Sequence, residues 1–199
     1  MKNTRVQKLT LSAVMIALST VLSLVTIFHM PLGGSVTLFS MLPVCLLPIM
    51  FGCRWGFLCA FAYSLTQLAL GIGEVAGWGL TPAALTGCIL LDYLLAFTAL
   101  GFSGIFRKHG VPGYIAGIAL AAFLRLVSHF ISGTIFFASW APEEWNPVLY
   151  SLAYNSAYML PEFAFTVLGT IFLLKEPHAA KLFRVHPDGR QEKPGTASR

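Results

Sequence analysis

LRLVSHFISGTIFFASWAPEEWNPVLYSLAYNSAYMLPE, residues Leu124 to Glu162, is apolar enough for a bilayer yet carries Arg125, His129, Ser151, Asn155 and Glu162 at helical spacings. Arg125, His129 and Gly133 succeed one another at intervals of four, which on a helix makes one stripe, with the glycine leaving room beside the basic pair. Ser151, Asn155, Tyr158 and Glu162 follow at four, three and four, a second stripe on the next helix. Polar groups facing lipid are expensive, so the two stripes are expected to face each other or a shared pocket.

The rest of the chain fits that setting. Of its 199 residues 56% are hydrophobic and only 11% charged, with a mean hydropathy of +0.74, far from an ordinary soluble domain. The length accommodates about six spanning helices of ~20 residues with short loops. No G-x-x-x-x-G-K-[ST] pattern occurs, so energy from ATP would have to come from a partner. The expected fold class is an all-α integral membrane protein: a bundle of six transmembrane helices over residues 1–175, then a polar cytoplasmic tail over 176–199.

The net charge of +5 reports topology rather than nucleic-acid binding. Lys2, Arg5 and Lys8 precede the first apolar run, Arg54 follows the second, Arg107 and Lys108 follow the fourth, and the remaining basic residues from Lys175 follow the last. The intervening junctions carry Glu74, Glu143 and Glu144 and no Lys or Arg, the pattern of an even number of spans with both termini cytoplasmic. The four cysteines lie in apolar runs without metal-ligand spacing and read as small core hydrophobes.

In order, the spans are expected at Leu9 to His29, Leu38 to Gly52, Phe57 to Ile72, Ala83 to Phe106, Val111 to Ala138 and Pro147 to Leu174. Ala13 and Ala17 form a small-xxx-small pair on the first, which lets another helix approach closely. Met30 to Thr37 is a Gly- and Pro-rich outer loop suited to fold over a cavity. The second span holds Pro43 and Pro48 and is expected to be kinked, with Arg54-Trp55-Gly56 as the inner turn after it. Glu74 and Trp78 fall in the outer loop Gly73 to Pro82, where Trp78 reads as an interfacial anchor or as a ring over a ligand.

Asp92 is the sole aspartate and Arg125 the sole arginine within a span, so either they form a structural ion pair or they line a pocket for a charged ligand. His129, Tyr93, Phe137, Trp140, Tyr150, Tyr154, Asn155 and Tyr158 are expected around them in the outer half. A carboxylate among aromatic faces suits a flat cationic heteroaromatic molecule. A hydrolase using His129 as base is disfavoured by the lack of G-x-S-x-G, H-E-x-x-H or a clustered Arg-His phosphate motif.

MPLGGSVTLFSMLP (30–43), FGCRWGF (51–57), LLDYLLAFTALGFSGIF (90–106), LRLVSHFISGTIFF (124–137) and YSLAYNSAYMLPE (150–162) together resemble the thiamine-specific S-components of energy-coupling factor transporters, the ThiT family, over Leu9 to about Leu174. The resemblance implies a six-helix subunit of the cell membrane that binds thiamine near its outer face. It also implies association with a transmembrane coupling subunit and two ATPases, and no enzymatic chemistry or cofactor of its own. It places the substrate contacts on Asp92, Tyr93, Arg125, His129, Gly133, Phe137, Tyr150, Ser151 and Asn155, with Trp78 and Trp140 as further stacking surfaces, and the docking of the coupling subunit on Ala13 and Ala17. The chain departs from some members, which have glutamate where it has Asp92, lysine where it has Arg125 and a tryptophan near the position of Phe137. Subunits for riboflavin, biotin and folate share the bundle, and only the motifs set them apart.

Overall fold

The computed structural model describes residues 4–30 and 33–177, so the expected tail and the basic residues beyond Lys175 lie outside the described residues, apart from Glu176 and Pro177. Helix α1 (Thr4–Ser23) leads into two short antiparallel strands, β1 (Thr26–His29) and β2 (Ser35–Thr37). The first span is thus shorter than expected. Thr26, Ile27 and Phe28 are apolar or β-branched, suiting a strand as well as a membrane helix, and β2 offers them a ladder partner.

Helix α2 (Leu42–Phe51) is buried from Leu42 to Met50. At ten residues it is ~15 Å long, half of a hydrocarbon core, and does not reach across one. Pro43 sits in its first turn, where a missing N–H costs nothing. Ser19 of α1 accepts the free N–H of Val44 at 3.2 Å. The turn to α3 (Cys53–Gly77) is Gly52 alone, at φ 89°, so Arg54, Trp55 and Gly56 form the first turn of α3 instead of the loop expected there. Glu74, expected in a loop, is likewise on the last turns of α3.

From Pro82 to Phe136 the chain is a nearly unbroken apolar helical stretch of 55 residues. It comprises α4 (Pro82–Cys88), a π-helical segment (Ile89–Leu95), α5 (Ala96–Thr98), 3₁₀ turns over Ala99–Gly104 and Arg107–His109, and α6 (Gly110–Phe136). The stretch folds back at Gly110, which adopts φ 65°. Space for a Cβ is denied at Gly113 by the Phe106 carbonyl, at Gly117 by the Ser103 carbonyl and at Gly87 by the Phe136 ring. Ser128 meanwhile donates to the Leu91 carbonyl at 2.6 Å. Pairs that close in steadily on residue 110 from both sides define two antiparallel arms. Helix α7 (Pro147–Lys175), capped by the Asn146 side chain, completes the bundle.

Among the described residues the protein is therefore helical apart from one strand pair, and four stretches are long and apolar enough to cross a membrane, the second-to-last of them bent back on itself. The alternating charges sort by end. Arg107 donates to the Met50 carbonyl, and Lys8 lies over the rings of Phe51 and Trp55, so these basic residues share one end. The strands, Glu74 and Trp78 gather at the other.

Candidate functional site

At the end holding the strands the helices part around a cavity of about 320 Å³, within the range of small-molecule sites. The π-helical segment sets its first side. A π turn is wider than an α turn and breaks the regular ladder, as such segments often do at functional sites. Here it brings the consecutive Asp92 and Tyr93 both to the cavity wall. Gly71 of α3 makes this possible for Tyr93, because a Cβ there would lie 2.2 Å from the phenol oxygen.

The first polar stripe lies opposite. His129 Nδ1 is 2.9 Å from Asp92 Oδ1, and Ser132 donates to Oδ2 at 2.5 Å. His129 Nε2 is buried and has no partner among the described residues, although the ring lines the cavity and meets Tyr158 edge-on at 6.0 Å. The Asp92 and Arg125 ion pair considered from the sequence does not form. Arg125 pairs instead with Glu162, Nη1 to Oε2 at 2.9 Å, and lies over the Phe97 ring at 4.4 Å. A membrane interior with one arginine and two carboxylates must leave one acid to another partner, and His129 takes Asp92 because the two arms meet there.

The second stripe faces the first, as the spacing requires. Ser151 donates to the Phe130 carbonyl at 3.0 Å, and Asn155 reaches the Ser151 carbonyl at 2.8 Å while accepting from Tyr158 at 2.8 Å. Gly133 permits this approach: a Cβ would stand 2.3 Å from Ser151 Oγ. Tyr150, Tyr154 and Tyr158 form a ladder of rings with successive centroids 6.0 Å apart. Across the cavity Trp78, Phe137 and Trp140 make a second cluster, with centroids at 5.0 to 6.0 Å.

All eleven sequence-selected residues of the pocket (Asp92, Tyr93, Arg125, His129, Gly133, Phe137, Tyr150, Ser151, Asn155, Trp78 and Trp140) line this one cavity. Ala13 and Ala17 lie elsewhere, exposed on the outward face of α1. The strands supply part of the wall that the sequence reading left out of the site. Gly34 N–H donates to Tyr154 Oη at 2.9 Å, and Gly33, at φ 89°, packs on the Trp78 ring. Glu74, Gln67, Tyr63 and Phe97 also line the cavity without having been selected. Glu162 was visible in its stripe, but with two acids and one arginine within the spans a count of charges does not say which acid takes Arg125.

A helical bundle of this hydropathy, enclosing a polar and aromatic cavity of small-molecule size, defines a multi-pass membrane protein with an internal chamber. The family model described as thiamine transporter protein (Thia_YuaJ) matches residues 9–182, and the chain belongs to that family. It is 34% identical over 165 residues to the thiamine transporter ThiT of Bacillus subtilis (strain 168), covering 76% of this chain and 81% of that one. It is 30% identical over 165 residues to the thiamine transporter ThiT of Lacticaseibacillus paracasei, covering 76% and 78%. A solved structure of ThiT from Listeria monocytogenes shares the fold at a TM-score of 0.74 and 23% identity, over 91% of this chain and 99% of that one. The relatives are transporters rather than enzymes, and this chain is a transporter-family membrane protein.

Proposed function

We propose that this protein is the substrate-binding component of an energy-coupling factor importer in the cell membrane, holding thiamine in the cavity while partner subunits hydrolyse ATP. The observation that carries the reading is the Asp92, His129 and Ser132 cluster set between two walls of aromatic rings. Thiamine is two flat rings, an aminopyrimidine and a permanently cationic thiazolium. An aminopyrimidine edge offers an N–H donor beside a ring nitrogen, and it meets here a carboxylate with spare lone pairs and a buried imidazole nitrogen that has no partner among the described residues. The thiazolium is attracted to ring faces, which Trp78, Phe137 and Trp140 offer on one side and Tyr150 and Tyr154 on the other.

The charge balance agrees. Asp92, Glu74 and Glu162 line the cavity against the single guanidinium of Arg125, which Glu162 already neutralises, leaving acid in excess for a cation. Burial of the contacts away from water would strengthen them. In this reading both termini and the Lys8, Arg54 and Arg107 end are cytoplasmic, and the bundle reorients as a body against a transmembrane coupling subunit served by two ATPases. Ala13 and Ala17, exposed one turn apart on α1, give that subunit a shallow surface to slide on.

Isothermal titration of the purified chain with thiamine, and with riboflavin and biotin as controls, tests the proposal. Saturable one-to-one binding of thiamine alone is expected. Absence of thiamine binding at micromolar concentrations overturns it.

A further inference from the structure

Glu162 is 4% exposed and midway along α7, where an unpaired carboxylate would be costly. It is fully engaged, by two separate parts of the chain. Oε2 accepts from Arg125, while Oε1 accepts from the Thr37 backbone N–H at 3.3 Å and from Thr37 Oγ1 at 2.5 Å. A carboxylate only accepts, so the Thr37 hydroxyl proton points to Glu162, with the Ser40 hydroxyl oxygen 2.6 Å from Thr37 Oγ1.

Thr37 ends β2, and β2 with Gly33 and Gly34 forms one wall of the cavity. The chain leaves that wall through Phe39, held at φ 60°, a conformation that a bulky side chain seldom takes. Such strain persists only where the surroundings over-determine it. On one side of Phe39 stands the Thr37 to Glu162 clasp; on the other, the Phe39 ring packs edge-on against Phe165 at 6.0 Å. Both anchors belong to α7.

We propose that Glu162 is a positioning residue. One carboxylate holds Arg125 at the cavity floor and the β2 wall beside it, so the residence time of a bound ligand depends on Glu162 acting through Thr37. The ligand part of this inference rests on the thiamine reading above; the wall part does not. Ordinary truncation of a charge pair would disturb Arg125 and leave β2 alone. The clasp predicts that both respond.

The test uses the full chain in detergent and three variants, Glu162→Ala, Glu162→Gln and Thr37→Val. Hydrogen exchange over residues 33–41 without ligand is expected to rise about tenfold in Glu162→Ala and Thr37→Val. It should stay within about threefold of the parent in Glu162→Gln, whose amide oxygen still accepts from Thr37. Thiamine dissociation is expected to quicken about tenfold in the first two with little change in association. If Glu162→Ala does not fold, Thr37→Val carries the test, since it keeps the Arg125 pair intact. Parent-like exchange of residues 33–41 in Thr37→Val overturns the clasp. Faster exchange in variants of a chain that does not bind thiamine upholds the clasp and defeats the thiamine reading instead.

Discussion

At the basic end of the bundle helices meet backbone to backbone, while at the other they stand apart around polar groups and rings. A Cβ at Gly104 would lie 2.2 Å from the Pro48 carbonyl, one at Gly56 2.3 Å from the Pro48 ring, and one at Gly117 2.0 Å from the Ser103 carbonyl. Around these contacts α2 is buried on every side, its neighbours including Tyr63, Leu100 and Ile118. Such small-residue packing is how helices gain dispersion contacts where lipid removes the hydrophobic drive between them. At the cavity end the same bilayer surrounds Asp92, Glu162, Arg125 and His129, each of which is paired with a side chain of another helical element at the cavity wall. The difference places the closest packing at one end and, on the proposed reading, recognition at the other.

Substitutions that should separate the two ends can break this division. The largest effect on binding is expected from Asp92→Ala, which removes a hydrogen-bonded, half-buried charge at the cavity wall and leaves His129 and Ser132 without their acceptor. Thiamine affinity by titration should fall by about three orders of magnitude, or ~4 kcal/mol, with little change in melting temperature. Gly104→Ala should do the opposite. Overpacking against the Pro48 carbonyl costs about 1–3 kcal/mol, read as a lower melting temperature in detergent, while the folded fraction binds thiamine as before. Equal binding losses in both variants would end the distinction. The smallest effect on binding is expected from Ala13→Trp, on the exposed face of α1. Titration should give an affinity within about twofold of the parent, since the side chain lies outside the cavity. Uptake by the chain reconstituted with a coupling module should nevertheless be abolished, and retained uptake would remove α1 as a docking surface.

Among the residues of the cavity, those on α6 and α7 were the most legible. A helix in lipid has one place to put a polar stripe, so Arg125, His129, Gly133, Ser151 and Asn155 could be assigned to facing walls from spacing alone. The resemblance then added what spacing could not, an expected part in substrate contact for Tyr93, Phe137 and Tyr150. Trp78 and Trp140 were ambiguous as loop tryptophans, and only their packing with Phe137 places them on the cavity. Whether Arg125 pairs with Asp92 stayed open in the sequence, because two acids compete for it and the choice of Glu162 depends on the relative height of α6 against α7. The inner turn at Arg54 was misplaced because a single glycine with positive φ reverses the chain, and helix-forming residues resume at once on its far side. The strand pair stayed hidden for a different reason. Thr26-Ile27-Phe28 is acceptable to a membrane helix, and its pairing with Ser35-Val36-Thr37 joins residues that no local pattern relates.

Hydropathy, charge alternation and four-residue spacing are properties of the chain taken a helical turn at a time, and they sufficed for a membrane bundle with one polar chamber. Tertiary structure alone decided that α2 stops short of a span, that a π turn turns Asp92 and Tyr93 to one wall, and that Glu162 joins Arg125 to β2. Those outcomes depend on the depth at which one helix lies against the next. Depth is set by which glycines, carbonyls and rings come into contact, a relation between distant residues that no local spacing contains.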